Sequence, residues 1–344
     1  MLPELPASPG SPVHGPAQPG RRRALQAALL GAGLGSLALS ARAADYPRHP
    51  VTIISAHAAG GGADSLSRIL AAALSNELGQ TFIVENRPGA STMLAAEYTA
   101  RAAPDGYSLL MATVTTLSIN PSLYKKLRYD PVRDFAPVSM IATTPFFVGV
   151  TPELPAQSAS DLLRMARAQP GKLNYGSSGN GTSSHLAGEL FCDMAGVRMV
   201  HVPYKATSMR NSDLASGQIQ VVFGNDLLPL AKAGKVRILA VTSAQRMASL
   251  PDMPAVAELD GMAGYSADVW YGLVAPAGVP PGTIDTLSHA IHKVLRDQRL
   301  QEQVMTSLGG IVAGTTPEAF AELIRSDAVK WGKVIKRTNI QISD

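Results

Sequence analysis

Short apolar runs alternate with amphipathic stretches along most of the chain. Val51–Ser55 reads VTIIS, which is typical of a buried strand, and the apolar positions between Asp64 and Glu77 then recur at helical spacing. The same order of strand and helix returns several times, which predicts mostly parallel sheets covered by helices, an α/β fold. Further strands are predicted in TFIVEN, YSLLMAT, RMVHVPY, QIQVVFGN and VRILAVTS, and further helices in MLAAEYTARAAP, Thr283–Asp297 and Pro317–Thr338.

Two β-like segments interrupt this order and are predicted to cross between two lobes. They are Ala136–Pro155 and Asp268–Pro280. Residues 45–146 and 270–344 are therefore expected to form lobe 1, to which the final helices return, and residues 147–269 to form lobe 2. Ligands of open α/β sheets bind at the carboxyl ends of the strands, so a site is expected between the lobes.

The first 44 residues have the three parts of a secretory signal. Arg21–Arg23 precede the uncharged apolar stretch Ala24–Ser40, and small residues at Ala41 and Ala43 fit a cleavage site. The stretch is short and glycine-rich for a membrane span, and the residues before the arginines have a composition typical of disorder. Residues 1–44 are therefore predicted to be a signal peptide with a disordered extension. Export by the Sec route or by the twin-arginine route would place the protein in the periplasm without an anchor.

The charge balance changes once this segment is set aside. The whole chain carries a formal net charge of +4, but Arg21–Arg23 and Arg42 against Glu4 place +3 of it in the first 44 of the 344 residues, which leaves +1 for the other 300. No basic run interleaved with aromatic residues occurs there, so nucleic-acid binding is not expected. The single cysteine, Cys192, cannot form an internal disulfide and is expected to be a buried hydrophobe.

Each predicted lobe carries a glycine-rich loop between a strand and a helix. Residues 56–64 read AHAAGGGAD, with Asp64 expected as the N-cap of the helix, and residues 175–190 read YGSSGNGTSSHLAGEL. The N–H groups at a helix N-terminus have no intrahelical partner and lie at the positive end of the helix dipole, so each loop is a ready anion site. Taken singly, either loop is equally well an ordinary turn. Two such loops at one cleft favour the binding of a carboxylate.

Motifs for catalysis or metal binding are missing from these loops. Neither has the G-x-x-x-x-G-K-[ST] pattern of a nucleotide phosphate loop or the G-x-S-x-G spacing of a hydrolase nucleophile. His289 and His292 share a late helix without an acidic or cysteine partner at ligand spacing, so a solvated helix face is expected rather than a metal site. His57 opens the first loop and is a candidate to face the cleft. His185 follows the second loop, and a role in capping or supporting that loop explains it at least as well as a bond to a ligand does. The chain is not expected to be an enzyme.

Eight segments, in order from Tyr46 to the C-terminus, carry a family resemblance: AAGGGADSLSRIL, ENRPGA, APDGYSLLMAT, INPSLYKKLRYDPVRDFAPVS, PGKLNYGSSGNGTSSHLAGELF, MVHVPYK, ILAVTSAQRMASLPDMPAVAE and WYGLVAPAGVP. The chain resembles the extracytoplasmic solute receptors of tripartite tricarboxylate transporters, the Bug-type receptor family. The resemblance implies a periplasmic-binding-protein-like (type II) two-lobe clamshell, each lobe a mixed, mostly parallel sheet flanked by helices. It implies a monomer that captures a small organic carboxylate without a cofactor and delivers it to a membrane permease with large and small subunits.

The resemblance also implies which residues hold the ligand. In the family, backbone groups of both glycine loops hold a carboxylate, often through ordered waters. Ligand contact is assigned by this similarity to Ala58, Ala59, Gly60 and Gly61 in the first loop, to Ser178, Gly179, Gly181, Thr182 and Ser183 in the second, and to Thr115, Asn120, Tyr204 and Asn225 at the cleft. Asn120 is equally consistent with holding its own loop, and Tyr204 with packing.

Three departures from the family pattern cluster where the distal part of the ligand would be read. Residues 206–211 read ATSMRN instead of G-S-A-P-A-L, and residues 223–225 read FGN instead of F-D-N. The first loop has Ala56, His57, Ala58 and Ala63 in place of the usual Pro, Phe, Pro and Thr.

The changes point to an anion without an ammonium group. The FGN sequence removes an acid, while Arg210 and His57 add groups that suit an anion. We therefore expect Arg210 and His57 to contact a di- or tricarboxylate, or an aromatic carboxylate, rather than an amino acid. A solvated position on its helix is the alternative for Arg210.

Two other functions remain open beside this receptor hypothesis. The same fold would serve a sensor that passes ligand binding to a membrane histidine kinase, and the sequence does not separate sensing from uptake. A secreted hydrolase that uses the cleft is a further alternative, against which the missing nucleophile motifs count.

Overall fold

The computed structural model describes residues 46–338 and 340, and the predicted signal peptide lies outside them. Strands and helices alternate through this part, as the apolar pattern predicts. The strands are β1 Val51–Ser55, β2 Phe82–Asn86, β3 Ser108–Thr113, β4 Phe135–Thr144, β5 Phe147–Val150, β6 Asn174–Ser177, β7 Val200–Pro203, β8 Val221–Gly224, β9 Arg237–Val241, β10 Val269–Pro276 and β11 Ile311–Val312. The helices are α1 Gly62–Leu78, α2 Met93–Ala100, α3 Asn120–Leu123, α4 Ala159–Ala168, α5 Ser183–Ala195, α6 Thr207–Ala215, α7 Leu228–Lys232, α8 Pro281–Val294, α9 Gln298–Leu308 and α10 Pro317–Thr338.

The strands form two sheets, and both sheets are mixed. The first has the order β11-β4-β10-β3-β1-β2, in which β1 pairs in parallel with β2 and β3 while β10 runs antiparallel to β3 and β4. The second has the order β7-β6-β8-β5-β9, in which β6 pairs in parallel with β7 and β8 while β5 runs antiparallel to β8 and β9. Helix-flanked mixed sheets confirm the predicted fold class. The expectation of mostly parallel pairing is wrong, because the strands that arrive from the other sheet, β5 and β10, run against their neighbours.

The chain passes between the two sheets at two places. β4 belongs to the first sheet and β5 to the second, and β9 belongs to the second sheet and β10 to the first. The first sheet thus takes its strands from residues 51–144 and 269–312, and the second from residues 147–241. The exact limits of the two predicted lobes remain a prediction.

The burial of β1 explains its continuous apolar run. Val51, Ile53 and Ile54 are fully buried, because β1 has a neighbouring strand on each edge and packs against α1 and α2. This packing fixes the end of β1, and with it the start of the first glycine loop, at the carboxyl edge of the sheet. None of the described helices is both long enough and apolar enough to cross a membrane.

Two helices differ from the sequence-based expectation. The helix predicted to end at Asp297 stops at Val294, and Asp297 instead caps α9 by accepting hydrogen bonds from the N–H groups of Arg299 (2.7 Å) and Leu300 (3.1 Å). The apolar pattern does not predict α6, because its only buried residues are Arg210 and Leu214. A helix without an apolar stripe is visible only in the structure.

Candidate functional site

The first glycine loop joins the end of β1 to the start of α1. Gly60 has a φ of +81°, a conformation that favours glycine, and Gly61 is the N-cap of the helix. Gly61 has no side chain with which to cap α1, and the N–H groups of Gly62 and Ala63 lie too early in the helix to reach an intrahelical carbonyl. Both residues are buried. Two backbone donors are therefore held at the positive end of a 17-residue helix, away from bulk water.

Asp64 braces this loop from inside α1. Its carboxylate accepts hydrogen bonds from the Gly60 N–H (3.0 Å), from Arg68 Nε (3.0 Å) and from Asn86 Nδ2 (2.8 Å), and Asn86 also donates to the His57 carbonyl (2.9 Å). Burial acts to raise the pKa of Asp64, but these hydrogen bonds together outweigh it and hold the pKa below its ordinary value. The prediction that Asp64 is the N-cap is wrong, because the helix begins earlier and Asp64 bonds back to the loop from its first turn.

The second glycine loop joins β6 to α5 and holds itself by internal hydrogen bonds. The hydroxyls of Thr182 (2.8 Å) and Ser177 (3.1 Å) donate to the Gly179 carbonyl, and the Ser178 N–H donates to Ser184 Oγ (3.0 Å). Gly179 has a φ of +122°, which again favours glycine. Thr182 is the N-cap of α5, yet its hydroxyl bonds the loop instead of capping the helix. The Thr182 side chain therefore does not cap α5, although the first N–H group of the helix, that of Ser183, donates to Thr115 Oγ1.

Two stacked imidazoles support the second loop from behind. The rings of His185 and His201 lie 3.8 Å apart, His185 Nδ1 accepts the Gly181 N–H (3.1 Å), and His201 Nε2 lies 2.6 Å from Ser177 Oγ. Burial lowers the pKa of His185 to about 4, and burial together with the neighbouring His185 lowers that of His201 to about 3, so both rings are neutral at pH 7. Within the described residues, no cluster of His, Cys, Asp or Glu is placed to hold a metal ion.

Both loops line one inner cavity of about 40 Å³, and a larger groove of about 560 Å³ opens beside it. His57, Gly61, Ser178, Thr182 and Thr207 line both spaces. The cavity has room for a small group such as a carboxylate, and the groove has room for the remainder of a ligand. The inner cavity is completed by Gly62, Ala63, Thr113, Phe146, Ser183, Ser184, Arg210, Asn225, Val269 and Tyr271.

Hydrogen bonds between the two sheets meet at this cavity. Asn225, which follows β8, donates through Nδ2 to Thr144 Oγ1 of β4 (3.0 Å) and to the Tyr271 hydroxyl of β10 (2.6 Å). Ser183, the first residue of α5, donates its N–H to Thr115 Oγ1, which follows β3 (3.0 Å). These contacts hold residues of both sheets around one small space.

His57 lies where the inner cavity meets the groove. Its Nδ1 is buried and has no hydrogen-bond partner among the described residues. Burial lowers the pKa of the imidazole to about 4, so the ring is neutral at pH 7. His57 therefore offers the cleft a hydrogen-bonding ring and not a positive charge.

Arg210 is buried, with 1% of its surface exposed, so the alternative of a solvated helix position is wrong. Its guanidinium pairs with the Asp226 carboxylate, donates to Asn211 Oδ1 through Nε (3.1 Å) and Nη2 (2.8 Å), and donates to Ser178 Oγ through Nη1 (3.2 Å). The FGN sequence at residues 223–225 does not leave this region without an acid, because Asp226 follows it directly. The charge of Arg210 is thus balanced within the protein by Asp226, and its expected contact with a ligand stays a prediction.

The lining of the cavity and the groove lacks carboxylates. Among the described residues, no Asp or Glu lines either space, whereas Lys205 lines the groove. An ammonium group would find no counter-charge there, but a carboxylate would meet backbone and hydroxyl donors. The lining therefore suits an anion.

The structure sorts the predicted ligand residues by the space that they line. In addition to the residues shared by both spaces, the inner cavity takes Ser183, Arg210 and Asn225, and the groove takes Ala58, Gly179 and Tyr204. Ala59 and Gly60 line a separate groove of about 430 Å³ against α6. Thr115 and Gly181 are engaged instead in the hydrogen bonds described above, to the Ser183 N–H and to His185. Ligand contact by any of these residues stays a prediction.

Asn120 and Tyr204 have protein partners of their own. Asn120 is fully buried and donates through Nδ2 to the Ser91 carbonyl (2.8 Å) and to the Tyr129 hydroxyl (3.2 Å), as expected of a residue that holds its loop. The Tyr204 hydroxyl donates to Asp213 (2.7 Å) while its ring lines the groove.

Four polar residues of the inner cavity are missed by sequence reasoning: Thr113, Ser184, Thr207 and Tyr271. Thr113 ends the predicted strand YSLLMAT, and the rule that sites lie at the carboxyl ends of strands could have found it. Thr207 begins α6, a helix without an apolar stripe, and the sequence marks it only through the departure ATSMRN at residues 206–211.

Comparison with known proteins agrees with the geometry of the site. The family model for a tripartite tricarboxylate transporter family receptor matches residues 66–340. BugT of Bordetella pertussis is 30% identical over 300 residues, which cover 86% of this chain and 91% of BugT.

Two solved structures share the fold at significant identity. The Rhodopseudomonas palustris protein Rpa4515, solved with adipate, superimposes with a TM-score of 0.83 at 35% identity and covers 86% of this chain and 99% of its own. MatC (Rpa3494) from the same organism, solved with bound malate, gives a TM-score of 0.78 at 28% identity and covers 84% of this chain and 100% of its own. The chain therefore belongs to the tripartite tricarboxylate transporter receptor family of periplasmic solute-binding proteins.

Proposed function

We propose that this protein is a periplasmic receptor that captures a small organic carboxylate between its two lobes and delivers it to a tripartite tricarboxylate-type membrane permease. The observation that carries the proposal is the meeting of two helix N-termini without side-chain caps, those of α1 and α5, at one inner cavity. An anion in this cavity accepts hydrogen bonds from N–H groups that no intrahelical carbonyl uses, and it lies at the positive ends of both helix dipoles.

The proposed ligand is a carboxylate without an ammonium group. One carboxylate enters the inner cavity, and the rest of the molecule lies in the groove, where Lys205 is the charged residue of the lining. A di- or tricarboxylate, or an aromatic carboxylate, fits this distribution of charge better than an amino acid does. The adipate and malate bound by the two relatives belong to this class.

The place of the protein in transport follows from the family and from the N-terminal sequence. Residues 1–44 would direct export and be removed, and the receptor would act in the periplasm as a monomer. Movement at the two chain crossings between the sheets would open and close the cleft around the ligand. The permease subunits are the partner that this family membership suggests.

A thermal-shift screen of the exported chain, beginning at Asp45, tests the proposal. The panel holds mono-, di- and tricarboxylates, aromatic acids and amino acids. A ligand at 100 times its dissociation constant stabilises a protein by about 2.7 kcal/mol, which is a large shift. We expect stabilisation by carboxylates that lack an ammonium group. Stabilisation by amino acids alone would overturn the ligand class, and a folded protein that no carboxylate stabilises would overturn the receptor.

A glycine substitution tests whether the carboxylate binds in the inner cavity. A Cβ atom at Gly62 would lie 3.1 Å from Asn225 Oδ1 and 3.1 Å from Leu308 Cδ2, so Gly62→Ala adds a methyl group to the crowded wall beside the uncapped N–H groups. We expect this change to weaken carboxylate binding at least tenfold in calorimetric titration. Gly332→Ala is the matched control, because it makes the same change in α10, where the Ser122 side chain is the nearest contact. Equal affinities of the two variants would contradict the assignment of the cavity.

A further inference from the structure

Arg210 extends from α6 to the second glycine loop, and each nitrogen of its guanidinium has a protein partner. Nε and Nη2 donate to Asn211 Oδ1, Nη2 also pairs with the Asp226 carboxylate, and Nη1 donates to Ser178 Oγ at 3.2 Å. An arginine so engaged is poorly placed to serve as the ligand's own counter-ion. Arg210 lines the inner cavity, and its bond to Ser178 connects it to a residue that lines both the inner cavity and the groove.

The bond from Arg210 fixes the role of the Ser178 hydroxyl. A guanidinium has donors and no acceptor, so Ser178 Oγ must accept in this bond and its single hydrogen must point elsewhere. Among the described residues, none accepts that hydrogen. The neighbouring hydroxyls of Ser177 and Thr182 differ, because theirs donate to the Gly179 carbonyl. Of these three hydroxyls, that of Ser178 is therefore the one left to donate toward a ligand.

Two glycines in the second sheet make room for this arrangement. A Cβ atom at Gly176 of β6 would lie 2.9 Å from Arg210 Cγ, and one at Gly224 of β8 would lie 3.0 Å from Arg210 Nη2. Larger residues at these positions would push the buried arginine away from Ser178. Gly224 stands where the family pattern has an acid, and Asp226 supplies the balancing carboxylate from beyond it.

We propose that Arg210 is a positioning residue that commits the Ser178 hydroxyl to donation, so that the site selects a carboxylate over the corresponding primary carboxamide. The inference rests on the proposed function and adds to it the rule by which the head group is chosen. A carboxylate oxygen accepts the Ser178 hydrogen, whereas an amide nitrogen at the same place brings a second donor against it. A serine free to rotate would accept from the amide, and this discrimination would be lost.

Calorimetric titration of four proteins tests the proposal. Adipate, malate and citrate are titrated first, and the one bound most tightly is compared with its singly amidated form. The proteins are the wild type, Ser178→Ala, the pair Arg210→Met with Asp226→Asn, and the combination of all three changes. The paired change removes both charges together, because a buried carboxylate left without its arginine would be destabilising.

The expected result is a coupled loss of selectivity. A hydrogen bond to a charged group changes binding affinity by roughly 10- to 100-fold. The preference for carboxylate over amide should therefore fall about tenfold or more in Ser178→Ala and in the paired variant. The protein that combines all three changes should lose no more of this preference than Ser178→Ala or the paired variant does. Ser178→Thr, which keeps the hydroxyl, should retain the preference.

Three results would overturn the proposal. Independent losses that add in the combined protein would show that Arg210 touches the ligand directly. An unchanged preference in the paired variant, with a normal unfolding transition, would show that Ser178 needs no arginine. Equal weakening of carboxylate binding and amide binding in Ser178→Ala would also refute the proposal. If the paired variant does not fold, the titration of Ser178→Ala is sufficient as a test. Failure of all three acids to bind the wild type would overturn the proposed function as well, which the other results would not.

Discussion

At the scale of single residues, the inner cavity offers directed hydrogen-bond donors, and the charged side chain in its lining is balanced by a protein carboxylate. His57 is neutral because it is buried, and the charge of Arg210 is balanced by Asp226. An unpaired charge at this depth would lose more free energy of hydration than it gains by attracting a ligand. Backbone N–H groups at a helix end already point at the cavity. Hydrogen bonds hold the pKa of Asp64 below its ordinary value, and one of them, from the Gly60 N–H, fixes the shape of the first loop. Selectivity is thus expected to depend on hydrogen-bond direction more than on net charge.

The suppressed protonation of His57 predicts a loss of stability in acid. An unfolded histidine has a pKa near 6.5 and that of His57 in the folded protein is about 4, so at pH 5 the unfolded chain binds a proton that the folded chain does not. The contribution of His57 to the free energy of unfolding is fully present above pH 6.5, and it falls by up to about 3 kcal/mol as the pH drops toward 4.

Urea unfolding at pH 7.5 and pH 4.5 measures this effect. His57→Asn should lose less stability than the wild type between the two values, by about 2 kcal/mol, because asparagine does not titrate. His185 and His201 are present in both proteins and contribute equally to each. The same loss in both proteins would contradict the assignment of a depressed pKa to His57.

At the scale of elements, glycines set how closely strands and helices approach. A Cβ atom at Gly272 of β10 would lie 2.1 Å from Phe320 Cζ of α10, and one at Gly188 of α5 would lie 2.3 Å from the Tyr175 ring of β6. These distances are far below van der Waals contact. Packing of this kind fixes the helices against the sheets, so that the loops at the strand ends keep their positions.

Gly272→Ala should destabilise the protein through this contact. The methyl group would overlap a buried aromatic ring that has no free space to move into, and overpacking of a core costs about 1–3 kcal/mol. Urea unfolding at pH 7.5 measures the loss. Gly332→Ala in α10 makes the same change at a helix position and should be neutral or stabilising, since alanine favours a helix over glycine by about 1 kcal/mol. A loss of stability of similar size in both variants would point to a general intolerance of alanine instead.

At the scale of the whole molecule, buried hydrogen bonds at the cavity join the two sheets. The Ser183 N–H bonds Thr115, and Asn225 bonds Thr144 and Tyr271. An ion pair between Arg337 of α10 and Asp193 of α5 (2.8 Å) also spans the sheets, but both of its side chains are substantially exposed, and such pairs contribute little. Of these polar contacts, the buried hydrogen bonds are expected to contribute more than the exposed ion pair, and they lie at the site of the proposed ligand.

Thr115→Val tests this coupling. Valine has nearly the same shape as threonine but cannot accept the Ser183 N–H, so the hydrogen bond between the sheets is lost and a buried donor is left unpaired, at about 1–3 kcal/mol. We expect weaker carboxylate binding in calorimetric titration and a larger radius of gyration by small-angle scattering. Thr99→Val is the control, because the Thr99 hydroxyl bonds only within its own helix, to the Ala95 carbonyl. Indistinguishable titrations of the two variants would show that Thr115 does not link the sheets.

The sequence by itself determined the elements whose residues face one continuous core. β1 is predictable because both of its faces are buried, and the two loops are predictable because glycines and small polar residues follow a strand directly. The two chain crossings follow from the same kind of local signal. The cavity-lining residues Gly61, Ser178 and Thr182 could be located in this way, since strand, loop and helix start are neighbours in the chain.

Only the tertiary structure decided how distant side chains satisfy one another. It buries Arg210 between Asp226 and Ser178, joins Thr115 to Ser183, and leaves His57 neutral. Periodicity reports the side of an element that is apolar, but burial, charge balance and donor direction depend on atoms that meet only after folding. The sequence therefore left Arg210 open between ligand contact and a solvated helix position, and only the fold shows that it is buried and paired with Asp226.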